Sequence, residues 1–265
     1  MKFSITLAQM QFKFGKPEVN MERVCSWIVE AARRGSDLVL FPELWASGYD
    51  LEQSQIYAQP LGNGLFANLS KLAKEHHIAI GSSLLESQGE KIFNTFTLFG
   101  CRGETLAIYR KVHLFRLLNE EKWLNAGKEL VTISAPWGKT GLAICYDLRF
   151  PEVFRAYALR DVRLVLLVAE WPERRIAHWQ KLLQARAIEN QYYLAAVNKV
   201  GQSQGAKLGG HSAVLDPMGV PVVEGGNDEI LLTAEIDLDQ VEKIRRWMPV
   251  FKDRSPAAYL RVKEN

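Results

Sequence analysis

The stretch Val162-Arg163-Leu164-Val165-Leu166-Leu167-Val168-Ala169 decides the fold class, because seven of its eight residues are apolar. A shorter run of the same kind, Leu38-Val39-Leu40-Phe41, lies within Asp37–Pro42. Strands that are apolar at every position, rather than at alternate ones, are buried on both faces. The two runs therefore predict sheets that carry helices on their outer faces, the arrangement of an α/β fold.

The segments around these runs alternate between strand and helix patterns. Further strands are predicted at Phe3–Met10, His77–Leu84, 140–145, Tyr192–Val197, Ser212–Leu215 and Ile230–Ile236. Helices are predicted at Pro17–Arg34, Phe66–His76, 152–160, Glu173–Gln191 and Leu238–Met248. The pattern of Ile92–Leu114 is that of a hairpin turning at Arg102-Gly103, so the sheets should be mixed rather than purely parallel.

The chain has no linker-like or low-complexity segment, so residues 1–265 are predicted to form a single domain. Residues 249–265 lack a helical or strand period, and a disordered tail is the plain interpretation. That segment nevertheless carries Val250, Phe251, Tyr259 and Leu260. These apolar residues favour an arm docked on a neighbouring subunit, in a homodimer or a larger homo-oligomer.

Composition excludes several classes of protein. The chain is 48% hydrophobic and 24% charged, with a net charge of +3, which is typical of a globular protein. Its basic residues form no stripe with interleaved aromatics, so no nucleic-acid partner is expected, and no apolar run is long enough for a membrane span. The three cysteines are odd in number and widely spaced, which favours a reducing, cytoplasmic setting over a disulfide scaffold.

Cys145 is the first candidate catalytic residue, because it ends the apolar strand pattern Thr140–Ile144. Pro151 suits the first turn of a following helix. A thiol on such a strand-to-helix turn is exposed at the carboxyl edge of the sheet, near backbone N–H groups, as a nucleophile requires. The alternative is a small buried core residue, and this segment alone does not separate the two.

Two other segments offer the groups that a nucleophilic thiol needs. Glu43 follows the buried run that ends at Pro42, where partial burial would raise the pKa of a carboxyl group into the range useful for a base. In Tyr109-Arg110-Lys111-Val112-His113, strand alternation would place Lys111 and His113 on one face, and the lysine could stabilise an oxyanion. The alternatives are a surface acid for Glu43 and an edge-strand lysine for Lys111.

Together these segments resemble the nitrilase, or carbon–nitrogen hydrolase, superfamily, whose Glu-Lys-Cys triad occurs in this chain order. The matching motifs are Phe41-Pro42-Glu43, Tyr109-Arg110-Lys111-Val112-His113 and Ile144-Cys145-Tyr146-Asp147. The resemblance runs from about Lys2 to Tyr259 and implies a four-layer αββα sandwich. The run Cys145–Glu152, with Trp171-Pro172 and His178-Trp179, is similar to the ω-amidase branch, which hydrolyses monoamides of 2-oxo dicarboxylic acids.

The resemblance also implies roles for individual residues. Glu43 would be the base, Cys145 the nucleophile, and Lys111 and the backbone N–H of Tyr146 the oxyanion donors. A second glutamate on the loop after the lysine would be Glu120, with Glu121 as its rival. The remaining candidates line the substrate site: Arg149 for the substrate carboxylate, with Arg174 and Arg175 as alternatives, and Trp171 as a wall.

Three questions stay open at this point. Arg149 could instead form a structural ion pair with Asp147 or Glu152, and His113 could pair with Cys145 in a protease-like dyad. Neither a metal nor an organic cofactor is indicated, since no dinucleotide or zinc motif occurs.

The expected substrate is 2-oxoglutaramate or 2-oxosuccinamate. The alternatives are the amide of deaminated glutathione, a carbamoyl compound or a nitrile, or a non-catalytic binding module.

Overall fold

The computed structural model describes residues 2–261. Its strands are β1 Lys2–Gln9, β2 Leu38–Leu40, β3 Ala79–Gln88, β4 Lys91–Phe99, β5 Thr105–Arg110, β6 Thr132–Ala135, β7 Gly138–Ile144, β8 Leu164–Ala169, β9 Tyr193–Asn198, β10 Val200–Ser203, β11 Ala206–Gly209, β12 Ala213–Leu215, β13 Pro221–Glu224 and β14 Ile230–Asp237. Its helices are α1 Pro17–Arg33, α2 Ser54–Tyr57, α3 Gly64–His76, α4 Glu120–Trp123, α5 Pro151–Ala158, α6 Ile176–Asn190, α7 Asp239–Trp247 and α8 Pro256–Tyr259. Short 3₁₀ turns occur at Arg116–Leu118, Cys145–Arg149 and Glu173–Arg175.

The strands form two six-stranded sheets and one small hairpin. The first sheet has the order β14-β1-β2-β3-β4-β5 and the second β13-β12-β9-β8-β7-β6, while β10 pairs with β11 alone. In each sheet a parallel centre is flanked by antiparallel strands. The centre is β1-β2-β3 in the first sheet and β7-β8-β9 in the second. Both sheets are therefore mixed, as the sequence predicts.

Side-chain alternation along β1 and β2 separates the interior into layers. Phe3, Ile5 and Leu7 point into the core between the two sheets, together with Leu38 and Leu40. The intervening residues of the same strands pack instead against the apolar faces of α1 and α3; these residues are Ala8, Val39 and Phe41, with Val24, Ile28, Phe66 and Leu69 from the helices. On the far side, α5 and α6 cover the second sheet with Phe154, Tyr157, Trp179 and Leu183. The order of layers is helix, sheet, sheet, helix.

The positions of the long elements agree with the sequence prediction to within a few residues. Several short elements were not predicted, since they have too few residues to show a period; these are α2, α4, α8, β6, β13 and the β10–β11 hairpin. The short strands β2 and β12 were predicted, because they lie in apolar runs. No helix in residues 2–261 is both long enough and apolar enough to cross a membrane.

The C-terminal segment contacts its own chain through Phe251. The guanidinium groups of Arg155 and Arg245 lie 5.4 and 5.1 Å from the centre of the Phe251 ring. Further along, Tyr259 and Leu260 are 58% and 87% exposed. The docking of residues 249–265 on a neighbouring subunit stays a prediction, and residues 262–265 lie outside the described part.

Candidate active site

The three predicted triad residues each follow a strand, and they meet where the two sheets face each other. Glu43 comes shortly after β2 and Lys111 directly after β5, both in the first sheet, while Cys145 follows β7 in the second. Glu43 and Lys111 are 0% and 1% exposed, and Cys145 is 8% exposed. The fold thus places one carboxylate, one ammonium and one thiol in a site that is almost closed to water.

Glu43 is held by donors on both of its oxygens. Oε1 accepts hydrogen bonds from Lys111 Nζ and Asn94 Nδ2, both at 2.8 Å, and Oε2 accepts one from the backbone N–H of Glu170 at 3.0 Å. The thiol of Cys145 lies close enough to this carboxylate for each group to affect the pKa of the other. Because each oxygen has a defined partner, the carboxylate has one orientation, which a base next to a nucleophile requires.

Lys111 bridges Glu43 to a second carboxylate, that of Glu120. Its Nζ lies 2.7 Å from Glu120 Oε1. Glu120 also accepts hydrogen bonds from the hydroxyl of Tyr49 and, through Oε2, from the backbone N–H of Phe115 at 2.8 Å. The neighbouring Glu121 is exposed. The structure therefore brings Glu120, and not Glu121, into contact with the triad.

Cys145 lies on a sharp turn that is braced from the first sheet. Its φ of +44° is in the left-handed region, which non-glycine residues adopt at a cost. The carboxylate of Asp147 accepts a hydrogen bond from the Ile144 N–H at 2.9 Å and another from the Tyr109 hydroxyl at 2.7 Å. His113 Nδ1 lies 2.8 Å from the same carboxylate. Asp147 therefore ties the turn that carries Cys145 to the segment that carries Lys111.

The charges of the site favour a neutral thiol at rest. Burial raises the pKa of Cys145 well above its ordinary value, the charge of Glu43 adds to this effect, and Lys111 opposes it. Burial and Glu120 also raise the pKa of Glu43, again opposed by Lys111. For Lys111, burial alone would lower the pKa, but Glu120, Glu43 and Cys145 together raise it well above the ordinary value. A raised carboxyl pKa beside a thiol suits proton transfer during attack rather than a preformed thiolate.

Cys145 opens onto a pocket with an excess of positive charge. Arg149, Arg174 and Arg175 line it together with Trp171, whose ring lies 4.8 Å from the Arg149 guanidinium. Within residues 2–261 none of the three arginines has a carboxylate partner, so Arg149 does not form the ion pair with Asp147 or Glu152 considered above. Burial lowers the pKa of Arg175, and repulsion from Arg174 and Arg149 lowers it further. Three guanidinium groups without counter-charges have the chemistry that suits an anion.

Residues 4–246 match the family described as carbon–nitrogen hydrolase. The chain belongs to this family. It is 37% identical over 255 residues to 2-oxoglutaramate amidase of Bacillus subtilis (strain 168), with 96% of this chain and 98% of that protein covered. It is 34% identical over 267 residues to omega-amidase NIT2 of Mus musculus, covering 97% of this chain and 96% of that protein.

A solved structure shows the same architecture. The structure of a CN-hydrolase superfamily protein of Xanthomonas campestris superimposes with a TM-score of 0.91 at 31% identity, covering 96% of this chain and 98% of that one. The resemblance and the fold class deduced from the sequence are therefore confirmed. The roles assigned to single residues of this carbon–nitrogen hydrolase stay predictions.

His113 lies beside Asp147. Although β5 ends at Arg110, the alternate residues Tyr109 and His113 both contact the Asp147 carboxylate, and the shared face of Lys111 and His113 stays a prediction. Lys111 turns to Glu43, whereas the His113 ring contacts Asp147 and stacks on Phe150 with a centroid distance of 3.6 Å. His113 is thus engaged with the turn of the nucleophile rather than with the thiol.

Several other residues of this carbon–nitrogen hydrolase site were not predicted from the sequence. Asn94 is a polar residue inside an apolar strand, a signal that was present but not used. Glu170 directly follows the apolar run 162–169, just as Glu43 follows the run that ends at Pro42, so the same argument could have found it. Tyr49 lies in a loop with no period and gave no signal. Within the described chain no group of three or more His, Cys, Asp or Glu side chains is arranged to hold a metal ion.

Proposed function

We propose that this chain is a cysteine-dependent amidase that hydrolyses the terminal amide of a small 2-oxo dicarboxylic acid monoamide, such as 2-oxoglutaramate or 2-oxosuccinamate, to the 2-oxo acid and ammonia. The observation that carries the proposal is the position of Cys145: its thiol adjoins a buried carboxylate and opens onto a pocket of unpaired arginines. The first arrangement suits amide cleavage, and the second suits a substrate with a carboxylate. The names of the relatives from Bacillus subtilis and Mus musculus support the same substrate class.

In the first half of the reaction, Glu43 takes the thiol proton as Cys145 Sγ attacks the amide carbonyl carbon. The carbonyl oxygen becomes an oxyanion, which Lys111 Nζ and the backbone N–H of Tyr146 stabilise. Loss of one such donor typically costs about 10²- to 10³-fold in rate. Glu43 then returns its proton to the departing nitrogen, the carbon–nitrogen bond breaks, and ammonia leaves a thioester on Cys145.

In the second half, water replaces ammonia beside Glu43. Glu43 accepts a proton from the water as its oxygen attacks the thioester carbon, and the same two donors stabilise the second oxyanion. The carbon–sulfur bond breaks, the sulfur regains its proton from Glu43, and the carboxylic acid product leaves. Glu120 is a second carboxylate partner of the Lys111 ammonium beside Glu43, so its role is to keep the ammonium in place through both halves.

The substrate carboxylate would bind Arg149, whose guanidinium already stacks on Trp171. Arg175 would add a second cation, with its own guanidinium 5.2 Å from the ring centre of Phe115. The aromatic surfaces accept the short carbon chain between the two ends of the substrate. An amide without a carboxylate, such as a simple aliphatic amide, leaves these cations unpaired and should bind less well.

The test is ammonia release from 2-oxoglutaramate and 2-oxosuccinamate, beside glutamine, asparagine and an aliphatic nitrile. Cys145→Ala should abolish release while leaving thermal stability near that of the wild type. Cys101→Ala is the matched control, because Cys101 is a free, exposed cysteine and its loss should change nothing. Release from glutamine or the nitrile instead of the 2-oxo amides would contradict the substrate class, and a fully active Cys145→Ala would contradict the mechanism.

We also infer that the enzyme is a cytoplasmic homodimer or larger homo-oligomer. Three exposed apolar residues near the C-terminus support self-association; Trp247, Tyr259 and Leu260 are 69%, 58% and 87% exposed. The free cysteines Cys25, Cys101 and Cys145 suit a reducing compartment. Sedimentation equilibrium at several protein concentrations tests the association, and a monomer at every concentration would contradict it.

A further inference from the structure

A second buried ion pair lies next to the triad and has no role in the mechanism above. Lys199 Nζ is 2.9 Å from Glu170 Oε2, and the two side chains are 1% and 7% exposed. A buried pair of this kind is weak evidence for stability, because the cost of removing two charges from water offsets most of their attraction. The position of the Glu170–Lys199 pair relative to the reacting groups therefore says more about its role than its contribution to stability does.

The backbone of Glu170 touches both the proposed base and the proposed nucleophile. Its N–H donates to Glu43 Oε2 at 3.0 Å, and its carbonyl oxygen lies 4.0 Å from Cys145 Sγ. A carboxylate oxygen has about two acceptor sites. Oε1 of Glu43 already accepts bonds from Lys111 and Asn94, so Oε2 is the oxygen with capacity for the thiol proton. The Glu170 N–H thus sets the direction in which the receiving oxygen points.

The ion pair fixes this peptide by joining the ends of two neighbouring strands. Glu170 follows β8, and Lys199 follows β9, which runs parallel to β8. Besides bonding the Glu170 carboxylate, the ammonium of Lys199 lies over the ring of Phe12, 5.8 Å from the ring centre. The side chain of Asn198 fastens the next residue by bonding both the N–H and the carbonyl of Trp171. The backbone at Glu170 is consequently fixed by two contacts, the ion pair of its own side chain and the hydrogen bonds of the following residue, Trp171.

We propose that Glu170 and Lys199 are positioning residues for the general base: their ion pair immobilises the Glu170 peptide, whose N–H holds Oε2 of Glu43 toward the Cys145 thiol. The proposal rests on the base and nucleophile assigned under the proposed function and adds two residues to that site. Neither side chain needs to touch the substrate.

The test compares Glu170→Gln, Lys199→Met and the double variant Glu170→Met/Lys199→Met with the wild type. A misplaced catalytic group of this kind costs about 10- to 100-fold, so kcat should fall by that factor while KM changes little. Lys207→Met is the matched control, because Lys207 forms an ion pair with Glu173 at 2.7 Å that is 59% and 39% exposed. The control should keep the wild-type kcat.

The pH profile separates positioning from a purely structural effect. Glu43 is faced by Lys111, Glu120, Tyr49 and Cys145, and all of these stay in place in the variants. Lys199→Met leaves the Glu170 anion uncompensated, which should move the acid limb of kcat/KM to higher pH. Glu170→Gln leaves the Lys199 cation uncompensated and should move the limb to lower pH. If the acid limb of the kcat/KM profile stays at the wild-type pH in both single variants, the proposal is overturned.

Alkylation of Cys145 by iodoacetamide, followed by mass spectrometry, gives a readout that needs no substrate. The rate reports how readily the base takes the thiol proton, and it should fall in all three variants but not in Lys207→Met. If no amide in the panel is hydrolysed while alkylation still depends on the pair, the substrate assignment fails and the positioning role stands. The double variant carries no unpaired buried charge, so it remains informative if a single variant does not fold. Wild-type kcat and alkylation in the double variant would refute the role.

Discussion

Replacing Lys111 with Met should destabilise the protein by about 3–5 kcal/mol near neutral pH, the usual cost of removing one partner of a buried ion pair. Lys111 is fully buried, and its Nζ lies 2.8 Å from Glu43 and 2.7 Å from Glu120. Met preserves the apolar stem but not the charge, so two buried carboxylates lose their common cation. For a chain of this length the loss corresponds to a decrease of roughly 6–20 °C in Tm.

The deficit should shrink as the pH falls. Burial and Glu120 already raise the pKa of Glu43 above 4.5, against the opposing effect of Lys111, so removing Lys111 raises that pKa further. A carboxyl group whose pKa is raised in the folded state stabilises that state below its unfolded value, and the contribution is lost as the pH rises through the folded value. The variant should therefore be closer to the wild type at about pH 5 than at about pH 8.

Urea unfolding followed by tryptophan fluorescence, at one protein concentration and at both pH values, measures this difference. Lys207→Met serves as the control; since its ion pair is exposed, it should stay within about 1 kcal/mol of the wild type at both values. Two results would refute the reasoning. One is a Lys111→Met protein that unfolds at the wild-type urea concentration, and the other is a deficit of equal size at both pH values.

Two further predictions concern activity. Arg149→Gln should raise KM for the 2-oxo amides about 10- to 100-fold with a smaller effect on kcat, because a hydrogen bond to a charged group contributes about 1.5–3 kcal/mol. Arg160→Gln is the control, because within residues 2–261 the exposed Arg160 guanidinium bonds only the Ala156 carbonyl, and an equal rise in KM there would contradict the role of Arg149. In the wild type, kcat/KM should fall on the acid side as Glu43 takes up a proton, with a midpoint above 4.5 because burial raises the pKa of this carboxyl group. A midpoint at or below 4.5 in the pH–rate profile would exclude Glu43 as the group that titrates.

The layers of the fold could be predicted from the sequence, because they follow from short apolar runs that are visible locally. Apolar residues at every position of 164–169 need cover on both faces, and the structure provides it with α5 and α6 on one side and the first sheet on the other. Glu43 and Cys145 were found in the same way, since each ends such a run. Lys111 came from its motif, and the strand predicted around it is shorter than expected, because β5 stops at Arg110.

The contacts that orient the triad could not be obtained in this way, since they join residues far apart in the chain. Tyr49 reaches Glu120 from a loop, and Asn94 reaches Glu43 from β4. Which side chains meet depends on the register of the strands and on loop conformations, neither of which has a short-range signal. A residue at the end of a buried strand was predictable from sequence, whereas its partner was not.

Because Glu43 and Lys111 follow strands of the first sheet and Cys145 follows a strand of the second, the proposed catalysis depends on how the two sheets pack. Glu43 donates its backbone N–H to the carbonyl of Ala169 in the second sheet at 3.4 Å, and its carboxylate accepts from Glu170 in the same segment. In the opposite direction, Tyr109 of the first sheet bonds Asp147, close to Cys145. The distance from the Glu43 carboxylate to the Cys145 thiol is therefore set by how the inner faces of the two sheets pack, and a close-packed core transmits even small volume changes. A cavity made between the sheets should consequently reduce kcat through the separation of Glu43 and Cys145, whereas a cavity of equal size beneath α1 or α3 should reduce stability alone.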